Sequence, residues 1–167
     1  AEGVDGGGPL KDNDLRAFIR IGSDFVANYY EYQIPLKLTN FGVRDPELIW
    51  PEQNRMVLDF SSLIQAKSER NKSGANFAVP YVVKDKLGNY IKVVGNPNLG
   101  DVKMAMLGVL NPQKTPNDAS DDGADKCGEV WFNELRLSNL AESGGYAATG
   151  KMDLQLADLA LVKMSGS

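Results

Sequence analysis

The acidic stretch at residues 117–125, NDASDDGAD, holds the strongest concentration of metal-type ligands in the chain. Its aspartates are Asp118, Asp121, Asp122 and Asp125. Carboxylate oxygens close together, with a glycine that allows a tight turn, are what Ca²⁺ requires. The spacing does not follow the EF-hand pattern of alternating ligands and a later bidentate glutamate. Two interpretations stay open: a calcium site, with no other cofactor expected, or a solvated loop whose aspartates stabilise turns.

The sequence contains few of the residue combinations that enzymes use for catalysis. The chain contains no histidine, so Ser-His-Asp triads and His-ligated zinc sites are excluded. Glu134 lies two positions before Arg136, which puts both side chains on one face of a strand. A glycosidase would need a second carboxylate within about 5–10 Å of Glu134, and the spacing identifies none. We therefore expect an ion pair or a cross-strand pairing at Glu134, no catalytic residue, and no enzyme.

Aromatic residues could bind a glycan by stacking on sugar rings, although aromatics on strands more often pack in a core. The residues concerned are Tyr29, Tyr30, Tyr32, Trp50 and Trp131. Tyr29 lies on the polar face of its strand, so it is the strongest candidate of the five for a glycan-binding residue. Tyr29 and Trp50 are therefore the predicted ligand-binding residues.

Composition limits the classes of partner. The chain of 167 residues has a net charge of −4, which argues against nucleic acid as a partner because phosphate binding needs a basic surface. Its single cysteine excludes an intrachain disulfide. No run of 18 apolar residues is present, so no transmembrane helix is expected. The first residues lack the charged and apolar regions of a signal peptide, which suggests an internal excerpt.

Alternation of apolar and polar residues predicts a mostly β domain. Predicted strands cover residues 15–22, 28–38, 55–60, 76–83, 89–94, 101–110, 128–140 and 146–156. One short helix is expected at residues 62–70, capped by Ser61 or Ser62. The nearly continuous apolar run at 101–110 indicates a central strand buried on both faces, and Pro35 indicates an edge position or a bulge. The predicted fold is all-β: an antiparallel, jelly-roll-like β-sandwich of galactose-binding type with one short helix.

The stretch at residues 128–140, GEVWFNELRLSNL, shows the clearest strand pattern. Trp131, Asn133 and two leucines would share one face and Glu134 and Arg136 the other, which predicts a central sandwich strand. The expected organisation is a linker at 1–14, a β-sandwich module at 15–145, and a terminal strand with a tail at 146–167.

Four segments together resemble the SprA/Sov family, over roughly residues 28–159. They are YYEYQIPL, IWPEQNRMVLDFSSL, YVVKDKLGNYIKVVGNPNLGDVKMAMLGVLNP and GEVWFNELRLSNLAESGGYAATGKMDLQLADL. The most specific parts are GNPNLGDV and VWFNELRL, and the latter contains the signature residues Trp131, Asn133, Glu134 and Arg136. Members of this family are very large outer-membrane proteins of the type IX secretion system that are associated with gliding motility.

The resemblance implies a non-enzymatic structural or interaction module of a protein-export channel. In the full-length protein, residues 146–167 would then lead into a strand of the channel's β-barrel. Expected partners are other secretion-system subunits and exported proteins, and the expected location is the outer membrane or cell surface, with the excerpt itself soluble. The alternative is a carbohydrate-binding β-sandwich, stabilised by calcium or not, because one fold carries many functions.

Overall fold

The computed structural model describes residues 10–113, 124–136 and 138, and the backbone of two further strands at 150–156 and 160–166. The chain divides into two units, residues 1–130 and 131–167. The second unit contains an antiparallel hairpin of β6 (Gly150–Leu156) and β7 (Ala160–Gly166), which pair from Leu156 with Ala160 to Gly150 with Gly166. The predicted boundaries at 14 and 145 stay predictions.

The first unit is built on one five-stranded sheet. Its elements are β1 (Arg16–Gly22), β2 (Tyr29–Pro35), α1 (Pro46–Ile49), α2 (Phe60–Ser73), β3 (Tyr81–Lys84), β4 (Tyr90–Val94) and β5 (Met104–Leu110). Short 3-10 turns lie at Glu52–Asn54 and Leu99–Asp101. The strand order is β3-β4-β2-β1-β5, and every pairing is antiparallel. The mostly β, antiparallel prediction is therefore confirmed.

Two-residue alternation decides which face of the sheet each side chain joins. In β1, Ala17, Ile19 and Ile21 are buried in the core. The hairpin between β3 and β4 is present as predicted, but β3 begins at Tyr81 and not at residue 76. The Asp85 carboxylate accepts hydrogen bonds from two backbone N–H groups of the turn, and Gly88 has a φ of +86°. These elements are local in sequence, which explains why the pattern locates them.

Helix α2 begins earlier than expected. Its N-cap is Asp59, whose carboxylate accepts from the Ser61 N–H at 3.0 Å, and it ends at Gly74 with a φ of +69°. The predicted strand at 55–60 and the predicted cap at Ser61 or Ser62 are wrong. Phe60 already belongs to the helix, and Asp59 accepts from the Ser61 N–H in the first turn. The helix covers one face of the sheet, and its Leu63 and Ala66 join Ile91 and Val93 in the core.

The sandwich prediction is not reproduced among the described residues. Among the described residues, the first unit has a five-stranded sheet with helix α2 packed on it, and the second unit has the β6–β7 hairpin. Residues 128–136, expected to form a central strand, have no regular secondary structure, and Trp131 is 69% exposed. Alternating apolar and polar residues predict which side chains would share a face of a strand. A strand forms only where a neighbouring strand supplies its hydrogen bonds.

Two further predictions about strand position are corrected. Strand β5, expected in the centre, lies at the edge of the described sheet and pairs only with β1. Strand β2, whose Pro35 suggested an edge, lies inside the sheet. Pro35 is tolerated because it ends the strand, two residues beyond Gln33, where the pairing with β4 stops. No described helix combines the length and hydropathy needed to cross a bilayer.

Candidate functional site

The face of the sheet opposite α2 carries a row of charged residues on three neighbouring strands. The pairing registers place Arg20 beside Glu31 and Glu31 beside Lys92. One carboxylate oxygen of Glu31 accepts from the Arg20 Nε at 2.7 Å, and the other is 2.7 Å from the Lys92 Nζ. Gln33 donates to the latter oxygen at 2.6 Å. We call Arg20, Glu31 and Lys92 the ionic row.

Glu31 is buried, with 1% of its surface exposed. Burial pushes the pKa of Glu31 upward, but the hydrogen bonds from Lys92, Gln33 and Arg20 outweigh it and hold that pKa below its usual range. The carboxylate is therefore ionised at neutral pH and both of its oxygens are occupied. A group in this state can neither donate a proton as a general acid nor attack a substrate without first losing its partners.

A second row of polar residues lies next to the first. The Arg16 guanidinium lies 3.9 Å from the centroid of the Tyr90 ring and donates to Gln33 and to the Tyr90 hydroxyl. The Lys84 Nζ, on the neighbouring strand β3, lies 4.7 Å from the centroid of the same ring. This face of the sheet is therefore not an apolar surface. It consists of cations that contact aromatic rings and one carboxylate.

The two predicted glycan-binding residues occupy different environments. Tyr29 is only 8% exposed, and the Arg20 guanidinium covers its ring at 4.0 Å from the centroid. Trp50 is 46% exposed and forms the C-cap of α1. The arginine occupies the ring face that a sugar would need, so a glycan platform at Tyr29 would require Arg20 to move. The glycan site stays a prediction.

The predicted calcium ligands are only partly within the described residues. Asp125 is described and exposed, whereas Asp118, Asp121 and Asp122 lie outside the described residues. In the described part of the chain, no three acidic or cysteine side chains are grouped closely enough to hold a metal ion. The calcium site therefore stays a prediction.

The described part of the signature VWFNELRL, residues 130–136, is exposed. Trp131, Asn133, Glu134 and Arg136 are all exposed, and Glu134 accepts from the Arg136 guanidinium at 2.5 Å. This hydrogen bond raises the pKa of Arg136. The expected ion pair is present, but it joins the two residues to each other rather than to a neighbouring strand.

The other signature, GNPNLG, forms a turn that several elements hold in place. Gly95 has a φ of +65°, and a Cβ there would lie 1.8 Å from the Ala27 carbonyl oxygen. The Pro97 carbonyl oxygen accepts from the Tyr30 hydroxyl at 3.2 Å and from the Lys67 Nζ at 2.7 Å. The Arg70 guanidinium donates to the Gly95 carbonyl at 2.5 Å. The residues of this signature therefore serve the packing of helix, turn and sheet.

Sequence reasoning missed these cations on α2. Arg70 is completely buried, and burial lowers the pKa of both Arg70 and Lys67. The same desolvation raises the pKa of the Tyr30 hydroxyl. Cations on a helix with polar neighbours resemble a solvated face. Only their spacing, three positions apart, indicated that Lys67 and Arg70 share one side.

The loop before β2 supports the same turn and was also missed. The Asp24 carboxylate accepts from the backbone N–H groups of Val26, Ala27 and Asn28. These hydrogen bonds, that of Ala27 first, hold the pKa of Asp24 well below its usual range. Asn28 in turn accepts from the Asn96 N–H at 2.9 Å. The turn-forming residues Ser23 and Asp24 between two predicted strands were the available signal for such a loop.

An open cleft of about 550 Å³ lies at the end of β2. Its lining includes the carboxylates of Asp12 and Glu52 and the cations of Lys37 and Arg55. Arg55 forms an exposed ion pair with Glu52 at 3.1 Å. These exposed side chains carry opposite charges, so the cleft has no dominant charge that would select a ligand.

Comparison with known families matches almost the whole chain. A family model named SprA_N, described as a motility related/secretion protein, matches residues 2–167. A search of curated proteins found no match.

Proposed function

The chain belongs to the SprA_N family of motility related/secretion proteins, and we propose that it is a non-enzymatic structural and interaction module of a large outer-membrane channel for type IX protein export and gliding motility. The observation that carries this proposal is the family match over residues 2–167. Such a parent would lie at the cell surface, and its partners would be other secretion-system subunits and exported proteins.

The chemistry of the described residues supports a structural role. The buried carboxylate of Glu31 is bonded to Arg20, Lys92 and Gln33, which leaves it no free oxygen for a substrate. The buried Arg70 guanidinium donates to the Gly95 carbonyl and to the Asn71 side chain, and it lies 4.4 Å from the centroid of the Phe77 ring. Polar groups that bond only to one another hold strands and turns together rather than perform a reaction.

The experiment is an in-frame replacement in the full-length parent protein. Residues 15–110 are exchanged for a flexible Gly/Ser linker, and three quantities are measured: the amount of parent in the outer membrane, the secretion of exported proteins, and gliding. We expect the parent to accumulate while secretion and gliding are lost. Normal secretion and gliding would contradict the proposal.

A control separates loss of the module from loss of the parent. The Glu52→Gln variant removes an exposed ion pair and should leave all three quantities unchanged. If the replacement also removes the parent from the membrane, the destabilised Leu63→Ala parent is tested instead. This variant lowers the fraction of parent molecules whose module is folded, and secretion should fall in proportion to that fraction.

A further inference from the structure

The two edges of the five-stranded sheet are built differently. Strand β3 has four residues, follows Pro80 and ends in Lys84. Short length, proline and lysine are the devices by which proteins prevent a sheet edge from pairing with another chain. Strand β5 has seven residues, MAMLGVL, without a charge or a proline. The edge at β5 therefore lacks the protection that the edge at β3 has.

The backbone of β5 directs hydrogen-bonding groups outward. The Leu36 N–H donates to the Leu15 carbonyl at 2.9 Å, which fixes the odd-numbered residues of β1 as the ones bonded to β2. The even-numbered residues of β1 then bond to the even-numbered residues of β5. The residues of β5 left with outward N–H and C=O groups are Ala105, Leu107 and Val109. Within the described residues these groups have no hydrogen-bond partner.

The side chains beside this edge are apolar on both faces of the sheet. Met104 is 43% exposed on one face and Leu107 is 40% exposed on the other. Gly108 leaves room for the Phe18 ring, which a Cβ there would meet at 2.7 Å. A strand added at β5 would thus find apolar contacts above and below it and no charge to neutralise.

The composition of β5 suits a strand with neighbours on both sides. A nearly continuous apolar run is typical of a buried central strand, yet β5 occupies an edge. We propose that the β5 edge binds an extended, uncharged and apolar segment of an exported protein as an additional antiparallel strand. This inference rests on the proposed function. Main-chain hydrogen bonds supply affinity without reading a sequence, and the flexible Met104 and Met106 adapt to different side chains.

The test compares proline substitutions at the two edges. Val109→Pro removes an outward N–H of β5 and leaves the bonds to β1 intact. The matched control is Val82→Pro, because the hydrogen bond from Asp85 to Asn89 places Val82 among the outward residues of β3. Leu107→Lys is a second β5 variant that keeps the backbone unchanged. Circular dichroism and thermal melting establish that each variant of the chain is folded.

The probe is a fluorescently labelled peptide of about nine residues, with valine, isoleucine and methionine in the centre and a lysine at each end. Its partner probe carries N-methyl groups on alternate amides, which keeps the side chains and removes the main-chain donors. We expect the first peptide to bind and the N-methylated one not to bind. Val109→Pro and Leu107→Lys should each raise the Kd about tenfold, and Val82→Pro should change it less than about twofold.

Other results would overturn the inference. They are a wild-type chain that does not bind the peptide, equal binding of the N-methylated peptide, and equal effects of Val109→Pro and Val82→Pro. A wild-type dimer in light scattering that Val109→Pro dissociates would assign the edge to a second copy instead. The proposed function is judged separately by the replacement of residues 15–110 in the parent, so secretion lost there with no peptide binding here overturns only the β5 inference.

Discussion

The two faces of the five-stranded sheet are stabilised by different forces. On the face under α2, Leu63 and Val93 are completely buried among apolar side chains. On the opposite face, Glu31 is almost as deeply buried, but among cations and amides. The same strands supply both faces through their two-residue period. The helix side should therefore be sensitive to shape and cavities, and the ionic side to charge and pH.

Gly95→Ala should produce the largest effect, on the helix side. A Cβ would meet the backbone oxygen of Ala27 at 1.8 Å, and the residue has a φ of +65°. We expect a loss of about 4 kcal/mol in the free energy of unfolding, measured by urea denaturation. Gly88→Ala is the control, because its φ is +86° but no atom lies within 4 Å of the new Cβ, and it should cost about 1–2 kcal/mol. Equal costs would show that the turn yields and is not held rigidly.

Leu63→Ala should follow, because it leaves a cavity between α2 and the sheet. Leu63 has no exposed surface. We expect a loss of about 3 kcal/mol, against less than about 0.5 kcal/mol for Ile64→Ala at a position that is 57% exposed. Both values come from urea midpoints with an unchanged slope. A small effect at Leu63 would mean that the helix does not stabilise this face.

Glu31→Gln should weaken the ionic side while nearly preserving its shape. The change leaves Arg20 and Lys92 facing each other without a carboxylate. Their side chains keep 22% and 23% exposure, so solvent offsets part of the cost, and we expect about 2 kcal/mol. Glu52→Gln, in an exposed pair, should cost less than about 0.5 kcal/mol. Equal costs would contradict the distinction between the two faces.

Acid should weaken the ionic side by protonating Glu31, with the smallest effect of the series. The pKa of Glu31 is lower in the folded chain than in the unfolded chain, so its contribution is complete above the unfolded pKa of about 4.3. That contribution is lost as pH falls below this value and through the folded pKa. Wild-type urea midpoints should therefore drop more steeply below about pH 4.5 than those of Glu31→Gln. If the urea midpoints of the two proteins fall in parallel with pH, Glu31 is not a source of the acid sensitivity.

Local features of the fold could be predicted from the sequence. The alternation in residues 15–22 and the turn at Gly88 act over a few residues, and both are as predicted. The position of β5 in the sheet could not be predicted, because the order of strands depends on pairings between segments that are distant in the chain. The family could be recognised from GNPNLGDV and VWFNELRL, and the match over residues 2–167 confirms it.

The ionic row could not be predicted for a related reason. Its three members come from strands that are distant in the chain, and they meet only through the registers of β1, β2 and β4. The partners of Glu31 could not be inferred, because a glutamate on a strand has no cross-strand neighbours that the sequence alone identifies. Lys67 and Arg70 were missed because each donates to a backbone carbonyl of the turn after β4, and every residue has such a carbonyl.

The central claim is that the ionic row is part of the scaffold rather than a working site. The direct measurement is secretion by the parent protein that carries Arg20→Met, Glu31→Leu and Lys92→Met together. A buried ion group replaced as a whole by apolar residues of similar volume often costs little stability, unlike the removal of one partner. We predict that the triple variant folds, melts near the wild type and secretes normally. A folded triple variant that no longer secretes would contradict the claim.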